Sequence, residues 1–457
     1  MTVRSDWLRE RRHVLAPLAI VAIGGPVLGL LSAYAWESMY GFAIGSLVLA
    51  VGLAMVRQRA LRGAEIPFFA VGLNMVARVC LSFAYMAVAI RTWGVSDFIT
   101  YQELAVVVGE GLLAGELRQG PLLHEPVISV MYGSLYLIAG SSLIGLGLLA
   151  VLLGSLGGLC IYLAATGALG AAADRRTLIV FLFGLPSFGV FTSVLGKDSW
   201  MLFFLGLTTF GFSRALRRRA VWPWLVVLVG VAGVTVTRRA IGVIVLFALV
   251  SARLLIRRPV VTRASVLRPV VLTLAIPIAV IGFARLTDMA VADKTGEQIE
   301  LVEEARLVVA LEQYHRGLAV DANKIDMIGI KEQSATAILL YLPLGIFRMF
   351  FHPHLLDAQN VLALLAAVEN AALMVLFVLR RRSLLASARR ALDDPFLAYC
   401  WIACVALSVI ISIAPNFGVL MRQRTMVLPF LAILMAVPAT LPKTRAVEPR
   451  QPQPEMT

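Results

Sequence analysis

The sequence predicts an all-α fold: a polytopic transmembrane helical bundle of about twelve crossings with two further re-entrant or interfacial elements. Three observations carry that prediction. Hydrophobic residues make up 60% of the 457 positions and charged residues only 15%, whereas a soluble chain of this length needs far more charge on its surface. Apolar runs of spanning length recur from one end of the chain to the other. Arginine clusters fall between alternate runs, the pattern that orients helices in a membrane.

Taken in order, Arg9, Arg11 and Arg12 precede the first run, 14–33, which ends in Ala33-Tyr34-Ala35. That ending resembles a signal-peptidase site. The run is about 20 residues long and many more follow it, so it reads as the first transmembrane helix. Further runs cover 40–56, 67–90, 142–166, 177–195, 199–213, 221–236, 240–256, 269–284, 360–378, 395–413 and 425–441. Several are short for a hydrocarbon core of about 30 Å and call for snorkelling arginines or interfacial tryptophans such as Trp200, Trp222 and Trp224.

Basic clusters assign the inner side to the N-terminus, 57–62, 175–176, 214–219, 257–268, 380–390 and the tail with Lys443 and Arg445. About twelve crossings satisfy them all, with both termini cytoplasmic. The stretches 127–139 and 338–351 are left over. Either one, taken as a full span, would put the next arginine cluster outside, so both read as re-entrant or interfacial. They adjoin two long outer loops, 91–126 and 285–337. Backbone of that kind is tolerated at membrane depth only when it is buried in protein or lines a wet cavity, so a cavity opening outward is expected.

In the second loop, Thr295-Gly-Glu-Gln298 reads as a capping box. It opens an amphipathic helix with Ile299, Val302, Ala305 and Val309 on one stripe, which suits either a lid on the membrane surface or a cover for the bundle. Residues 1–441 therefore form a single integral membrane domain, and the proline-rich 442–457 a disordered cytoplasmic tail. No internal repeat is visible, which counts against inverted-repeat transporter folds.

The net charge of +14 comes from 41 basic and 27 acidic residues. It sits in short clusters beside apolar runs, which points to topology and lipid headgroups. A basic stripe with interleaved aromatics is absent, so nucleic acid is not an expected partner. Cys80, Cys160, Cys400 and Cys404 all lie inside apolar runs. None can staple an exported loop, and no histidine stands near Cys400 and Cys404 to complete a zinc site.

Charge on the outer side is the informative signal. Cations there do nothing for orientation and cost desolvation if half buried, so an anionic ligand is the better reason for them. Lys197 and Asp198 follow Leu185-Pro186-Ser187, where Pro186 is expected to kink or end a helix. They form either a neutralised surface turn or a lysine aimed at phosphate by its neighbouring carboxylate. Arg238 and Arg239 fill the tightest connection between two spans, and the arginine fork suits bidentate phosphate binding. Outer-leaflet lipid headgroups are their other use.

Arg348 with His352 and His354 ends the second leftover element. No acidic ligand set accompanies these histidines, so a polar mouth donating to phosphate is preferred over a metal site. Arg422 and Arg424 begin the last span and gather cationic charge near a helix N-terminus. Arg78, in mid-span, should face the bundle interior. Candidate general bases are Asp97, Glu103, Glu110, Asp198 and Asp321. Asp97, which opens the first long loop, and Asp198 lead, with helix capping the competing role for Asp97. Walker loops, dinucleotide fingerprints, nucleophile elbows and zincin motifs are absent.

Leu185-Pro186-Ser187 before Lys197-Asp198, Phe351-His352-Pro353 before Glu369-Asn370, and Asn416-Phe417-Gly418 before Arg422-Gln423-Arg424 form a pattern over the middle and last thirds of the chain. It resembles the Wzy-type polymerases of bacterial O-antigen and exopolysaccharide. The resemblance implies a multi-pass protein of the bacterial inner membrane that works at its outer face. It transfers a glycan from undecaprenyl diphosphate onto the next lipid-linked repeat unit. The implied partners are that lipid-linked oligosaccharide, membrane lipids and other polysaccharide-assembly proteins, with no cofactor and no metal.

Cations would hold the diphosphate as it leaves, a role that falls to Lys197, Arg238, Arg239, Arg348, His352, Arg422 and Arg424. One departure is the acidic second loop, with Glu297, Glu300, Glu303 and Glu304 where the family carries arginine-rich loops. Two other readings stay open: a GT-C-type glycosyltransferase using a polyprenyl monophosphate, with Asp97 as base, and a flippase or transporter of lipid-linked glycans.

Overall fold

The computed structural model describes residues 36–61, 66–93, 97–116, 126–217, 220–255, 335–355, 361–412 and 417–439. The expected runs 14–33 and 269–284, the helix after Thr295, Asp321 and the tail 442–457 lie outside these residues. Among the described residues the chain is helical and forms no strand.

The helices are α1 (Trp36–Leu61), α2 (Phe68–Trp93), α3 (Asp97–Leu113), α4 (Pro126–Ala139) and α5 (Leu143–Leu169). Then follow α6 (Arg175–Ile179), α7 (Pro186–Phe191), α8 (Lys197–Ala215), α9 (Trp222–Thr237) and α10 (Arg239–Leu255). The last third holds α11 (Ala335–Phe351), α12 (Val361–Arg390), α13 (Pro395–Ser412), α14 (Phe417–Arg424) and α15 (Leu428–Met435).

Among the described residues four stretches are long and apolar enough to cross a membrane: Tyr40–Arg59, Phe68–Arg91, Leu143–Ala172 and Pro395–Ser412. Shorter apolar helices at Ser129–Ala139, Trp222–Thr237 and Leu342–Phe351 accompany them. Large apolar side chains face outward on the peripheral helices, among them Leu47, Val51 and Met55 of α1 and Leu365, Val375 and Leu379 of α12. Such a surface suits lipid and not water.

α5 is the axis of the bundle. It packs on α1, α2 and α8; α8 packs in turn on α9, and α10 on α13. The α5–α8 contact is made backbone to backbone. A Cβ on Gly157 would lie 2.5 Å from the Leu202 carbonyl oxygen, and one on Gly206 2.4 Å from that of Gly157. Lipid gives helices little hydrophobic reason to associate, so small residues that admit close backbone approach do that work.

Two expected runs and one expected loop differ from the sequence reading. The run 177–195 is broken. Asp174 caps α6 by accepting from the Arg176 and Thr177 amides at 3.1 and 3.2 Å. A π turn at Val180–Gly184 follows, and Pro186 restarts the chain as the first residue of α7. Proline has no amide to continue the ladder, so the break falls where its ring begins. The freed Phe183 carbonyl accepts from Asn74 Nδ2 at 2.8 Å.

The second difference is the last run, 425–441, which opens on a turn at 425–427 after α14 and is helical only over α15. The third is the outer loop 91–126, which contains α3, packed against α4. Glu103 and Glu110 interrupt the apolar pattern there, but they lie exposed on α3 while Leu104, Ala105 and Val108 are buried.

Candidate functional site

At one end of the bundle the starts of α3, α8 and α10 meet the C-terminal end of α9 and Arg422 of α14. Residue Arg238 caps α9 in an extended conformation, φ −150° and ψ 101°. The link to α10 is so short that the two arginines of the doublet diverge: Arg238 turns inward and Arg239 lies exposed. Arg238 Nη2 donates to Asp198 Oδ1 at 2.8 Å, while its buried Nε finds no partner among the described residues.

Asp198 stands in the first turn of α8, where the helix dipole favours a carboxylate. Its other oxygen accepts from Arg422 Nε. Arg422 reaches further with Nη1, which donates to Asp97 Oδ2 at 2.6 Å. Asp97 is the first residue of α3. The result is a chain of alternating charge, Asp97–Arg422–Asp198–Arg238, drawn from four separate elements. Burial rises steeply from Asp97 to Asp198. The Asp198 side chain is 2% exposed, those of Arg238 and Arg422 are 22% and 28%, and that of Asp97 is 68%.

Aromatic residues floor this cluster. Tyr101 stacks on Tyr132 with ring centroids 4.8 Å apart. Burial, opposed by Arg422 and reinforced by Asp97 and Asp198, pushes the Tyr101 phenol up to about 12, so it stays a hydroxyl donor. Burial alone would lower the Arg422 pKa, but Asp198 and Asp97 overcome it and hold the guanidinium above its ordinary value. Gly196, just before α8, leaves room for this arginine: a Cβ there would sit 3.4 Å from Arg422 Nη2. Lys197 begins α8 and is half buried.

Arg424 goes elsewhere. It was expected at the ligand, yet it is fully buried and committed to a second cluster. Its Nη2 donates to Glu369 Oε1 at 2.7 Å, and its Nη1 to Asn370 Oδ1 at 2.5 Å and the Phe350 carbonyl at 3.3 Å. Ser187 gives Glu369 both its hydroxyl and its amide, the latter at 2.7 Å. Asn370 Nδ2 donates to the Pro353 carbonyl at 3.1 Å. This clasp ties α7, the end of α11, α12 and α14 together. Arg348 and His352 belong to the same α11 terminus, both half buried, with the His352 amide donating to the Arg348 carbonyl at 2.9 Å.

Arg78 faces the interior as its mid-span position requires. Its Nε donates to Asn74 Oδ1 at 2.7 Å, and its Nη1 to the hydroxyls of Thr192 and Ser193 at 2.6 and 2.9 Å. It thereby anchors the segment that leads from α7 to Asp198.

Of the residues the sequence singled out, Asp97, Asp198, Arg238 and Arg422 come together. Lys197 and Arg239 adjoin them in the chain, and Arg348, His352 and Arg424 group around the clasp. Tyr101 and Tyr132 were not foreseen, because one lies in a segment read as loop and the other in a segment read as re-entrant, and their stacking is a tertiary contact. Among the described residues no group of three or more His, Cys, Asp or Glu side chains is placed to hold a metal ion. The donors on offer are guanidinium, ammonium and phenol groups, which suit an oxyanion. Comparison with protein-family models, with curated proteins and with solved structures finds no match for the chain.

Proposed function

We propose that this protein is a polymerase of bacterial surface polysaccharide, acting on glycans carried by undecaprenyl diphosphate at the outer face of the inner membrane. The observation that carries the reading is the Asp97–Arg422–Asp198–Arg238 cluster. It sets two arginines and two carboxylates at one end of a membrane bundle. The opposite end of α8 bears Arg214, about 24 Å from Asp198 along the helix, and Arg217 follows just beyond it. Inward arginines are expected by the positive-inside rule, which makes the cluster end the outer one, in a chain of about twelve crossings with both termini cytoplasmic.

Each component has a role in such a transfer. The acceptor sugar hydroxyl loses its proton to Asp97, whose exposed carboxylate keeps one oxygen outside the Arg422 contact. The new bond forms from that oxygen to the anomeric carbon as the bond from this carbon to the diphosphate breaks, and the diphosphate leaves with the electron pair. Arg422, Arg238, Lys197 and Arg239 offset the charge that develops there. Asp198 holds Arg238 and Arg422 in register. Partners are the lipid-linked oligosaccharide, the surrounding lipids and other proteins of polysaccharide assembly.

The test is glycan chain length on a gel, in a deletion strain complemented with wild type, Arg422→Ala or Arg238→Ala. Loss of long chains, with single lipid-linked units accumulating outside, is the expected result. An unchanged length distribution at normal protein levels removes the polymerase reading. In that case, missing single sugars on the carrier would indicate the monophosphate-dependent transferase, and units trapped inside would indicate a carrier of lipid-linked glycans.

A further inference from the structure

Arg422 is shared between two carboxylates of unequal standing. Asp198 is nearly sealed from solvent, and both of its oxygens are held, one by Arg238 and one by Arg422 Nε. Asp97 is 68% exposed and reaches the guanidinium through one contact, Nη1 to Oδ2 at 2.6 Å. Exposed ion pairs are weak and screened by salt, whereas a sealed carboxylate with two charged donors is costly to separate from them. An anion arriving at the rim therefore meets one replaceable contact and one fixed one.

We infer that Asp97 is a built-in competitor for the ligand. Its carboxylate occupies on Arg422 the position of a diphosphate oxygen and is displaced when the diphosphate binds, while Asp198 keeps Arg422 and Arg238 aimed. The inference rests on reading this site as one for a diphosphate. In the free protein the exchange contact leaves the cluster with equal numbers of opposite charges, so weaker anions gain little by entering. A diphosphate brings more charge and more acceptor oxygens than a carboxylate, and it engages both Nη groups of Arg422. The same exchange releases Asp97 beside the bound ligand, so the base is delivered only when there is a leaving group to act with.

Inorganic pyrophosphate is the probe, titrated against the full-length protein in lipid nanodiscs. Asp97→Asn is expected to bind it about five-fold tighter than wild type, the scale set by one exposed ion pair. Asp97→Ser, which keeps a first-turn oxygen for α3 without the charge, should do the same. Arg422→Ala should lose binding. The gain from Asp97→Asn should shrink at high ionic strength, as a screened contact must. If both Asp97 variants bind as wild type or more weakly, while Arg422→Ala still abolishes binding, the competitor role is overturned and the anion site stands. If wild type and the Asp97 variants all fail to bind, or Arg422→Ala binds like wild type, the diphosphate reading falls with it.

Discussion

Arg422 and Arg424 are separated by one residue, yet they belong to different chemistry. Arg422 sits at the rim, 28% exposed, on two carboxylates that come from two other elements. Arg424 is fully sealed, with Glu369, Asn370, Ser187 and the Phe350 carbonyl around it. Both are arginines with acidic partners, so charge does not distinguish them. Exposure does: a sealed ion pair has no competitor and acts as a joint, while a half-open one can trade partners. In a membrane bundle, the useful question about an arginine is what else is able to reach it.

The hardest way to break the comparison is to remove the joint. Arg424→Ala leaves Glu369 buried without a cation and should cost about 3–5 kcal/mol. Thermal unfolding of the detergent-solubilised protein checks this, and poor yield of folded protein is part of the expected outcome. Replacing the pair together, Arg424→Met with Glu369→Leu, should recover most of that loss, because matched apolar side chains remove both desolvation penalties.

The next effect is smaller in stability and larger in function. Arg422→Ala should cost less than that, about 1–3 kcal/mol, because the sealed Asp198 loses one of its two charged donors but keeps Arg238, and the Asp97 contact is solvated. It should nevertheless abolish long glycan chains. Equal destabilisation by Arg422→Ala and Arg424→Ala in the same unfolding assay would erase the distinction between the two clusters.

Arg78 sharpens the comparison from a third direction. It is buried like Arg424 but is held by Asn74, Thr192 and Ser193 hydrogen bonds instead of a carboxylate. Arg78→Lys keeps the charge but cannot fork to two hydroxyls, and should cost about 1–3 kcal/mol. The smallest effect belongs to Asp97→Asn, which should leave the melting temperature within about a degree or two of wild type.

How much of this was legible in the sequence follows the same division. Composition and apolar runs were enough for a helical membrane protein, because hydropathy alone decides which segments enter lipid. The break at Pro186 was readable from the ring chemistry of proline. The helix α3 was not, since Glu103 and Glu110 disrupt an apolar count although both point outward. Arginine clusters marked Arg238 and Arg422 as unusual, and Asp97 and Asp198 as acidic neighbours of interest. Pairing Arg422 with Asp97, 325 positions away, needs tertiary structure.

Arg424 was read with Arg422 because sequence gives spacing and not depth. Glu369-Asn370, between Ala367-Val368 and Ala371-Ala372, carried a usable hint: polar residues inside an apolar run need an internal partner. The motif residues Ser187, Glu369 and Asn370, which prompted the polymerase resemblance, lie in the joint, while the exchangeable contacts lie beside it.

The broken segment between Asp174 and Lys197 also bears on how the protein is made. The Ser187 amide at the restart of α7 is satisfied by Glu369, 182 positions later in the chain, and Arg424, which closes the clasp, is synthesised later still. Until then a helix end stands bare, and in hydrocarbon such a group costs several kcal/mol. Segments of the first half therefore enter the bilayer before they can settle in it. A nascent chain truncated ahead of Glu369 should remain a target for membrane proteases, because the clasp closes only once Glu369 and Arg424 are both in place.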